Sequence, residues 1–275
     1  MQGRLVPPED GRFQSFPRER WRDEFALAAQ AGLNAIEWIF DVYGEDANPL
    51  TCDTGIAEML SLSQQAGIRV RSLCADYFMD KPFLRTTEAE RGQLIQKMEW
   101  LLARCKRPGV RRIVIPFVDN SRIENADEEA QVISILRAIL PAAESNGVEL
   151  HLETSLGPQA FASLLERCSH PLIRANYDSG NSASLGYRVS EEFAAYGDRI
   201  GSIHIKDRRL GGGTVPLGTG DADLPGVFRG LAALHYGGDY VLQIARSEPG
   251  QELPWIRENL SWIAGQMEAV KRHAP

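Results

Sequence analysis

The strongest constraint on the fold is a regular alternation between short apolar segments and longer segments with helical periodicity. Segments with strand character lie at 34–40, 68–75, 111–118, 148–154, 172–178, 200–206 and 240–245. Segments with apolar residues at three- and four-residue steps lie at 17–31, 54–66, 86–105, 126–146, 157–168, 189–196, 223–234 and 252–271. The repeat of roughly 30 to 35 residues is typical of one βαβ unit, and it predicts a parallel sheet.

The number of repeats favours a closed barrel over an open sheet. A short first strand within MQGRLVP at 1–7 would complete eight strand–helix units. We therefore predict a single-domain α/β protein, a (β/α)8 TIM barrel that spans residues 1–275. The alternative is an open doubly wound sheet, which usually carries a G-x-G-x-x-G turn after its first strand. That motif is absent from the sequence, and no linker rich in Pro, Gly or Ser divides the chain.

Charge and composition exclude several classes of protein. The 30 Lys and Arg against 37 Asp and Glu leave a net charge of −7, which argues against binding to nucleic acid or to an anionic membrane. Neither a signal peptide nor an apolar run long enough for a membrane span is recognisable. The four cysteines are scattered without a C-x-x-C pair, which favours reduced thiols and a cytoplasmic location.

Polar side chains gather where four consecutive predicted strands end, the position of the active site in a barrel. Strand alternation directs Glu153, Asp178, His204 and Gln243 towards the barrel axis, while their apolar neighbours face the helices. Three oxygen donors and one imidazole suit a divalent ion such as Mn, Mg, Co or Zn. A hydrogen-bonded polar plug in the barrel mouth is the alternative, and spacing does not separate the two.

Three motifs in these segments resemble the xylose isomerase-like barrel superfamily. They are LETS at 152–155, YDSGN at 177–181 and HIKDR at 204–208. Within that superfamily the chain is similar to the sugar-phosphate isomerase/epimerase group, which includes ketose 3-epimerases, hexulose-phosphate isomerases and inosose dehydratases. The resemblance implies that Glu153, Asp178 and His204 are metal ligands and that Glu153 is also an acid/base residue. It also implies a small carbohydrate substrate and a reaction through an enediolate.

Two departures from the family pattern bear on the reaction. The family normally has a fourth ligand and second acid/base glutamate on the last strand, where this chain has Gln243, and many relatives have a histidine where this chain has Asn181. A glutamine can offer an oxygen to a metal but cannot carry a proton at neutral pH. A two-base epimerase is therefore disfavoured. A one-base isomerase, a dehydratase or lyase, and a catalytically weak sugar-binding barrel remain.

Further residues are predicted to act on the substrate. Lys206 lies two residues after His204 in the same predicted strand, so its side chain should also point towards the barrel axis. We predict that Lys206 acts in catalysis beside Glu153 by stabilising a developing oxyanion. Asp41 and Asp76 also follow predicted strands, without a predicted role. The residues predicted to bind substrate are Glu37, His151, Asn181, Arg208 and Arg246.

Two further hypotheses concern partners. A metal-dependent phosphodiester nuclease of the endonuclease IV type shares this barrel. Such an enzyme needs a larger set of histidines for its metals and a basic groove for DNA, and the five scattered histidines and the net charge of −7 argue against it.

Trp255 and Trp262 recur at helical spacing in the last helix. Their pattern is typical of a buried inner face, and it leaves a homo-oligomer contact open.

Overall fold

The computed structural model describes residues 1–272, so the last three residues of the predicted domain lie outside the described part. Its main sheet has seven parallel strands, which follow one another across the sheet in the order of the chain. A two-stranded hairpin, which was not predicted, lies in the chain between the last two strands of this sheet. The strands are β1 (Ala35–Ile39), β2 (Arg69–Cys74), β3 (Arg112–Phe117), β4 (Glu149–Thr154), β5 (Ile173–Asp178), β6 (Ile200–Ile205), β7 (Asp207–Arg208), β8 (Thr214–Val215) and β9 (Tyr240–Leu242).

The amino-terminal segment brings the two edges of this sheet together. Gln2 forms a parallel bridge with Glu37 of β1, and its backbone N–H donates to the carbonyl of Leu242 in β9 at 3.1 Å. The predicted first strand is thus a single bridge and not a regular strand. Gly3 has a φ of +57°, which interrupts an extended conformation. The result is a near-closed parallel barrel surrounded by helices, which confirms the predicted TIM barrel architecture with seven regular strands.

Ten α-helices occur in the described residues, and most match the predicted segments within a few residues. The short α3 and α7 were not predicted, because two turns or fewer show no periodicity. The predicted helix at 17–31 begins only at Asp23. The helices are α1 (Asp23–Ala31), α2 (Asp53–Ala66), α3 (Tyr77–Asp80), α4 (Glu88–Cys105), α5 (Ala126–Asn146), α6 (Pro158–Arg167), α7 (Ser179–Leu185), α8 (Val189–Tyr196), α9 (Leu224–Ala233) and α10 (Glu252–Arg272).

The strand β4 has one apolar and one polar face, as its alternation predicted. Leu150 and Leu152 of β4 belong to the hydrophobic core, whereas His151 and Glu153 between and beyond them are polar and buried. In α10, Trp255 and Trp262 pack against the same core, as expected for an inner face. No helix in the described residues is long and apolar enough to cross a membrane.

Candidate active site

Three of the predicted metal ligands meet at the carboxyl ends of neighbouring strands. Glu153 is the second-last residue of β4, Asp178 ends β5 and His204 is the second-last residue of β6. Each offers a ligand atom within 4.8 Å of the others. The strand register places Asp178 directly opposite His204. All three are buried. The strand alternation therefore brought together the side chains that the sequence predicted to meet.

The two ring nitrogens of His204 face different carboxylates. Nε2 lies 2.7 Å from Oε1 of Glu37, while Nδ1 lies 3.2 Å from Oε2 of Glu153 and 3.7 Å from Oδ2 of Asp178. A hydrogen bond from Nε2–H to Glu37 leaves Nδ1 directed at the other two carboxylates. This is the arrangement by which a carboxylate orients a metal-binding histidine.

Negatively charged groups predominate around His204. Burial by itself would lower the pKa of His204, but Glu37, Asp178 and Glu153 raise it well above its usual range. Burial would likewise raise the pKa of Glu37, yet His204 and the hydroxyl of Ser72 hold it at about 2. Three carboxylates around one imidazole thus form a buried group of donors that attracts positive charge.

These residues fit a divalent cation. The set of Glu153, Asp178 and Nδ1 of His204 offers two carboxylates and one imidazole, which suits Mn, Mg, Co or Zn. Glu37 would hold the imidazole without touching the ion, because it faces the opposite ring nitrogen.

The backbone at the start of α7 fixes Asp178. Its Oδ1 accepts hydrogen bonds from the N–H groups of Gly180 at 2.9 Å and Asn181 at 2.8 Å. Its Oδ2 faces Nζ of Lys206 at 3.4 Å. Burial would raise the pKa of Asp178, but Lys206 and His204 lower it below its usual range. The carboxylate is therefore ionised, with one oxygen directed at the candidate metal position.

Asn176 is a site residue to which the sequence analysis assigned no role. Its Nδ2 lies 3.0 Å from Oε2 of Glu153 and 3.1 Å from Nδ1 of His204. Its Oδ1 accepts from the hydroxyl of Ser202 at 2.6 Å. The signal that could have revealed Asn176 is its position two residues before Asp178, which gives both side chains the same face of the strand.

His151 lies beneath this group, deeper in the barrel. Its Nδ1 contacts the Ser202 hydroxyl at 2.7 Å, and its Nε2 contacts Oε2 of Glu149 at 2.7 Å. The ring is fully buried. The position of His151 two residues before Glu153 places it one layer deeper in the barrel, where it contacts Asn176 indirectly through Ser202. Its role in substrate binding stays a prediction.

A cavity of about 530 Å³ opens above the candidate metal site. Four predicted site residues line it together with Glu153, which connects the cavity with the three-ligand group. Asn181 donates from Nδ2 to Oε1 of Glu153 at 2.6 Å, and Arg208 donates to Oδ1 of Asn181 at 2.8 Å. The four lining residues that the sequence predicted are Asn181, Lys206, Arg208 and Gln243.

Lys206 occupies the space between Gln243 and Asp178. Its Nζ donates to Oε1 of Gln243 at 3.1 Å and lies 3.4 Å from Oδ2 of Asp178. The amide oxygen of Gln243 thus faces an ammonium group in this structure. The role of Gln243 as a fourth metal ligand stays a prediction.

Two of the predicted substrate-binding residues lie away from the cavity. Glu37 sits in the middle of β1, opposite Ser72 of β2, so it is below the strand ends that form the cavity. Arg246 binds three backbone carbonyls of the amino-terminal segment, those of Gly3, Val6 and Phe13, at 2.8, 3.0 and 2.6 Å. Glu37 is therefore a support of His204, and Arg246 is an anchor for the amino-terminal segment.

Other lining residues come from loops and from α3, and no function was predicted for them. Asp41 and Asp76 follow β1 and β2, and their position after a strand had marked them in the sequence without indicating a role. The loop before α1 carries no such signal, because nothing local shows that it folds over the barrel mouth. The remaining lining residues include Arg12, Phe13, Gln14, Met79, Asp80, Val118 and Asp119.

Comparisons with known proteins agree with this architecture. The sequence matches the family model of the xylose isomerase-like TIM barrel over residues 25–266. It is 25% identical over 268 residues to a putative L-ribulose-5-phosphate 3-epimerase, SgbU of Escherichia coli K12, with 90% of this chain and 92% of that protein covered.

Solved structures show the same fold. An L-ribulose 3-epimerase has a TM-score of 0.73 at 17% identity, covering 92% of this chain and 94% of that one. The IOLI protein with a bound zinc atom has a TM-score of 0.70 at 17% identity, covering 91% and 92%. The name of the curated relative supports an enzyme of the isomerase or epimerase class. Because the family model spans most of its length, the chain belongs to the xylose isomerase-like TIM barrel family.

Proposed function

We propose that the chain is a metal-dependent isomerase or epimerase of a ketose or ketose phosphate, with Glu153 as the residue that moves the proton. The observation that carries this proposal is the convergence of Glu153, Asp178 and Nδ1 of His204 within 4.8 Å. Glu153 also lines a cavity large enough for a sugar. The curated relatives, named as epimerases of a ketose phosphate, support the same class of reaction.

The surroundings of Glu153 suit a general base. A divalent ion held by Glu153, Asp178 and His204 would supply Lewis-acid stabilisation of the enediolate. Both oxygens of Glu153 are held by amides, Oε1 by Asn181 and Oε2 by Asn176. The carboxylate therefore has a fixed position at the cavity, from which it removes the proton next to the substrate carbonyl.

The contacts of Lys206 favour a single-base route. Its ammonium lines the cavity and is held by Gln243, so it stabilises the oxyanion that develops as the proton leaves. The amide of Gln243 neither accepts nor releases a proton at neutral pH, so Glu153 must return the abstracted proton itself. Returned to the neighbouring carbon, this proton completes an aldose–ketose isomerisation. Inversion of the original carbon needs a second acid on the opposite face.

A dehydratase or lyase is the second candidate. The Lys206 ammonium next to Gln243 is a charged donor in the cavity, and it could assist the departure of a substrate hydroxyl. A sugar-binding barrel with little catalysis is the third candidate, because the second glutamate of the family is absent at Gln243.

Metal analysis combined with a substrate panel tests the proposal. The purified protein is analysed for bound metals and then assayed on ketoses and ketose phosphates, with and without EDTA, with products identified by NMR. We expect isomerised or epimerised products that disappear on chelation and return with a divalent ion. Activity that survives complete metal removal contradicts the proposal, and a dehydrated product identifies the lyase.

The base is tested separately with Glu153→Gln. This change should lower kcat by roughly 10²- to 10⁴-fold, because the amide cannot accept the proton. Glu166→Gln is a matched control, since Glu166 is exposed on α6 and does not line the cavity. Full activity of the Glu153→Gln protein shows that the base lies elsewhere.

A further inference from the structure

We infer that the substrate of this site is an electrically neutral, unphosphorylated ketose, whose far end lies against a wall of carboxylates; this inference rests on the proposed function. The observation behind it is the set of lining carboxylates that lie outside the three-ligand group, because the ion of the proposed function would compensate the charge of Glu153. These carboxylates are Asp41, Asp76, Asp80 and Asp119, and the lining cations are Arg12, Lys206 and Arg208.

Two of the three lining cations already have partners inside the site. Lys206 donates to Gln243 and faces Asp178. The guanidinium of Arg208 donates to the carbonyl of Gly212 at 2.8 and 3.0 Å, and also to Asn181. A phosphate group would have to compete with these contacts. The third cation, Arg12, lies over the ring of Tyr43 at 4.3 Å from its centroid.

The charges are also distributed unevenly around the barrel mouth. Lys206 and Arg208 follow β6, on the side of the candidate metal site. Asp76 follows β2 and Asp119 follows β3, and at least two strands of the sheet separate each of these strands from β6. We call Asp76, Asp80 and Asp119 the acidic wall.

The position of the reacting carbons determines which end of the sugar meets the acidic wall. The carbonyl end must lie at Glu153 and the three-ligand group for the proton transfer to occur. The far end of a pentose or hexose then points across the cavity. A phosphate there would face like charges, whereas hydroxyl groups would donate hydrogen bonds to the carboxylates.

Asp76 is built to receive such hydrogen bonds. Its Oδ2 accepts from Nε2 of Gln14 at 2.7 Å, and its Oδ1 accepts from Sγ of Cys74 at 3.0 Å. Gln14 is fixed in turn by Arg4 at 3.1 Å, and Nε of Arg4 donates to the carbonyl of Ile244 at 3.0 Å. The carboxylate is thus held in place while each oxygen keeps a lone pair for a substrate hydroxyl.

The deciding experiment compares one ketose in its free and phosphorylated forms. Metal-loaded protein is assayed at pH 8 on L-ribulose and on L-ribulose 5-phosphate. At that pH Asp76 is ionised, since burial raises its pKa only to about 6. We expect kcat/KM to be at least tenfold higher for the free sugar. The opposite ranking overturns this inference and leaves the proposed function intact. Turnover of neither compound, and of no other ketose, overturns the proposed function and this inference with it.

Substitutions at the exposed rim of the cavity test whether the acidic wall causes the preference for the free sugar over its phosphate ester. In the double variant D80N/D119N, we expect kcat/KM for the phosphate ester to rise at least fivefold relative to the free sugar. The control D127N/E166Q removes the same charge from exposed positions on α5 and α6, outside the cavity, and should leave the ratio unchanged. An unchanged ratio in D80N/D119N overturns the role of the acidic wall.

A third variant tests the buried member of the wall. D76N should raise KM for L-ribulose about tenfold with a smaller change in kcat, because it weakens binding and leaves Glu153 in place. Thermal unfolding shows whether D76N folds, and D80N/D119N decides the question if it does not. An unchanged KM in folded D76N contradicts contact between Asp76 and the sugar.

Discussion

Nε2 of His204 lies 2.7 Å from Oε1 of Glu37, although 167 residues separate the two in the chain. Both side chains are fully buried, and Glu37 does not line the substrate cavity. In the neutral imidazole, a hydrogen bond from Nε2–H to Glu37 leaves the unprotonated Nδ1 facing Glu153 and Asp178. A residue beneath the site therefore decides how the imidazole is presented to a metal.

Replacing Glu37 with Gln should weaken the binding of a divalent metal. The neutral amide still occupies the space, but it holds the Nε2–H of His204 less strongly and makes Nδ1 a poorer ligand. We expect a loss of roughly 10- to 100-fold in affinity for Mn²⁺ or Zn²⁺, measured by isothermal titration calorimetry. Glu24→Gln changes another buried glutamate outside the site and should leave the affinity unchanged. Equal affinities in all three proteins contradict the orienting role of Glu37.

Gln243→Glu should strengthen metal binding and supply a second acid/base. The new carboxylate adds one negative charge beside Asp178 and pairs with the Lys206 ammonium that Gln243 now binds. We expect roughly tenfold tighter binding of the metal and new or increased epimerised product, measured by calorimetry and NMR. Gln159→Glu adds the same charge at an exposed position on α6. If Gln243→Glu binds metal no better than this control, Gln243 is not a ligand.

Arg246→Met should destabilise the protein without weakening metal binding. The side chain donates to three backbone carbonyls of the amino-terminal segment, which would lose these partners. We expect a loss of about 2 kcal/mol in the free energy of unfolding, measured by urea denaturation. Arg257→Met, at an exposed arginine that donates to a single carbonyl, should cost less. Unchanged stability together with a raised KM would restore the substrate-binding role predicted from the sequence.

The buried carboxyl of Glu24 should make stability depend on pH. Burial raises its pKa from 4.5 to about 7, so the folded protein favours the protonated form. Its contribution to stability is fully present below pH 4.5 and is lost as pH rises to about 7. We expect Glu24→Gln to match the wild type near pH 4.5 and to exceed it by up to about 3 kcal/mol at pH 8, measured by denaturation at both values. An equal difference at both pH values contradicts the shifted pKa of Glu24.

The part of the candidate site that could be predicted rests mostly on the two-residue alternation of side chains within single strands. Glu153, Asp178 and His204 were predicted to meet because each lies at or near the end of a strand and alternates with apolar neighbours, and their ligand atoms do lie together. Glu37 and Arg246 lie outside the cavity, which the same rules could not predict, because they give no depth along the barrel axis and no partner across the barrel. Their contacts depend on the register of strands and on segments far apart in the sequence.

The sequence by itself determined the parallel barrel, the face of each strand that points inward and the order of the candidate ligands. Those features follow from local periodicity and from the way parallel strands align their carboxyl ends. Only the tertiary structure decided that residues near the amino terminus close the barrel with one bridge and that Lys206 lies between Asp178 and Gln243. These relationships join segments that no local pattern connects, because packing and register set their distances.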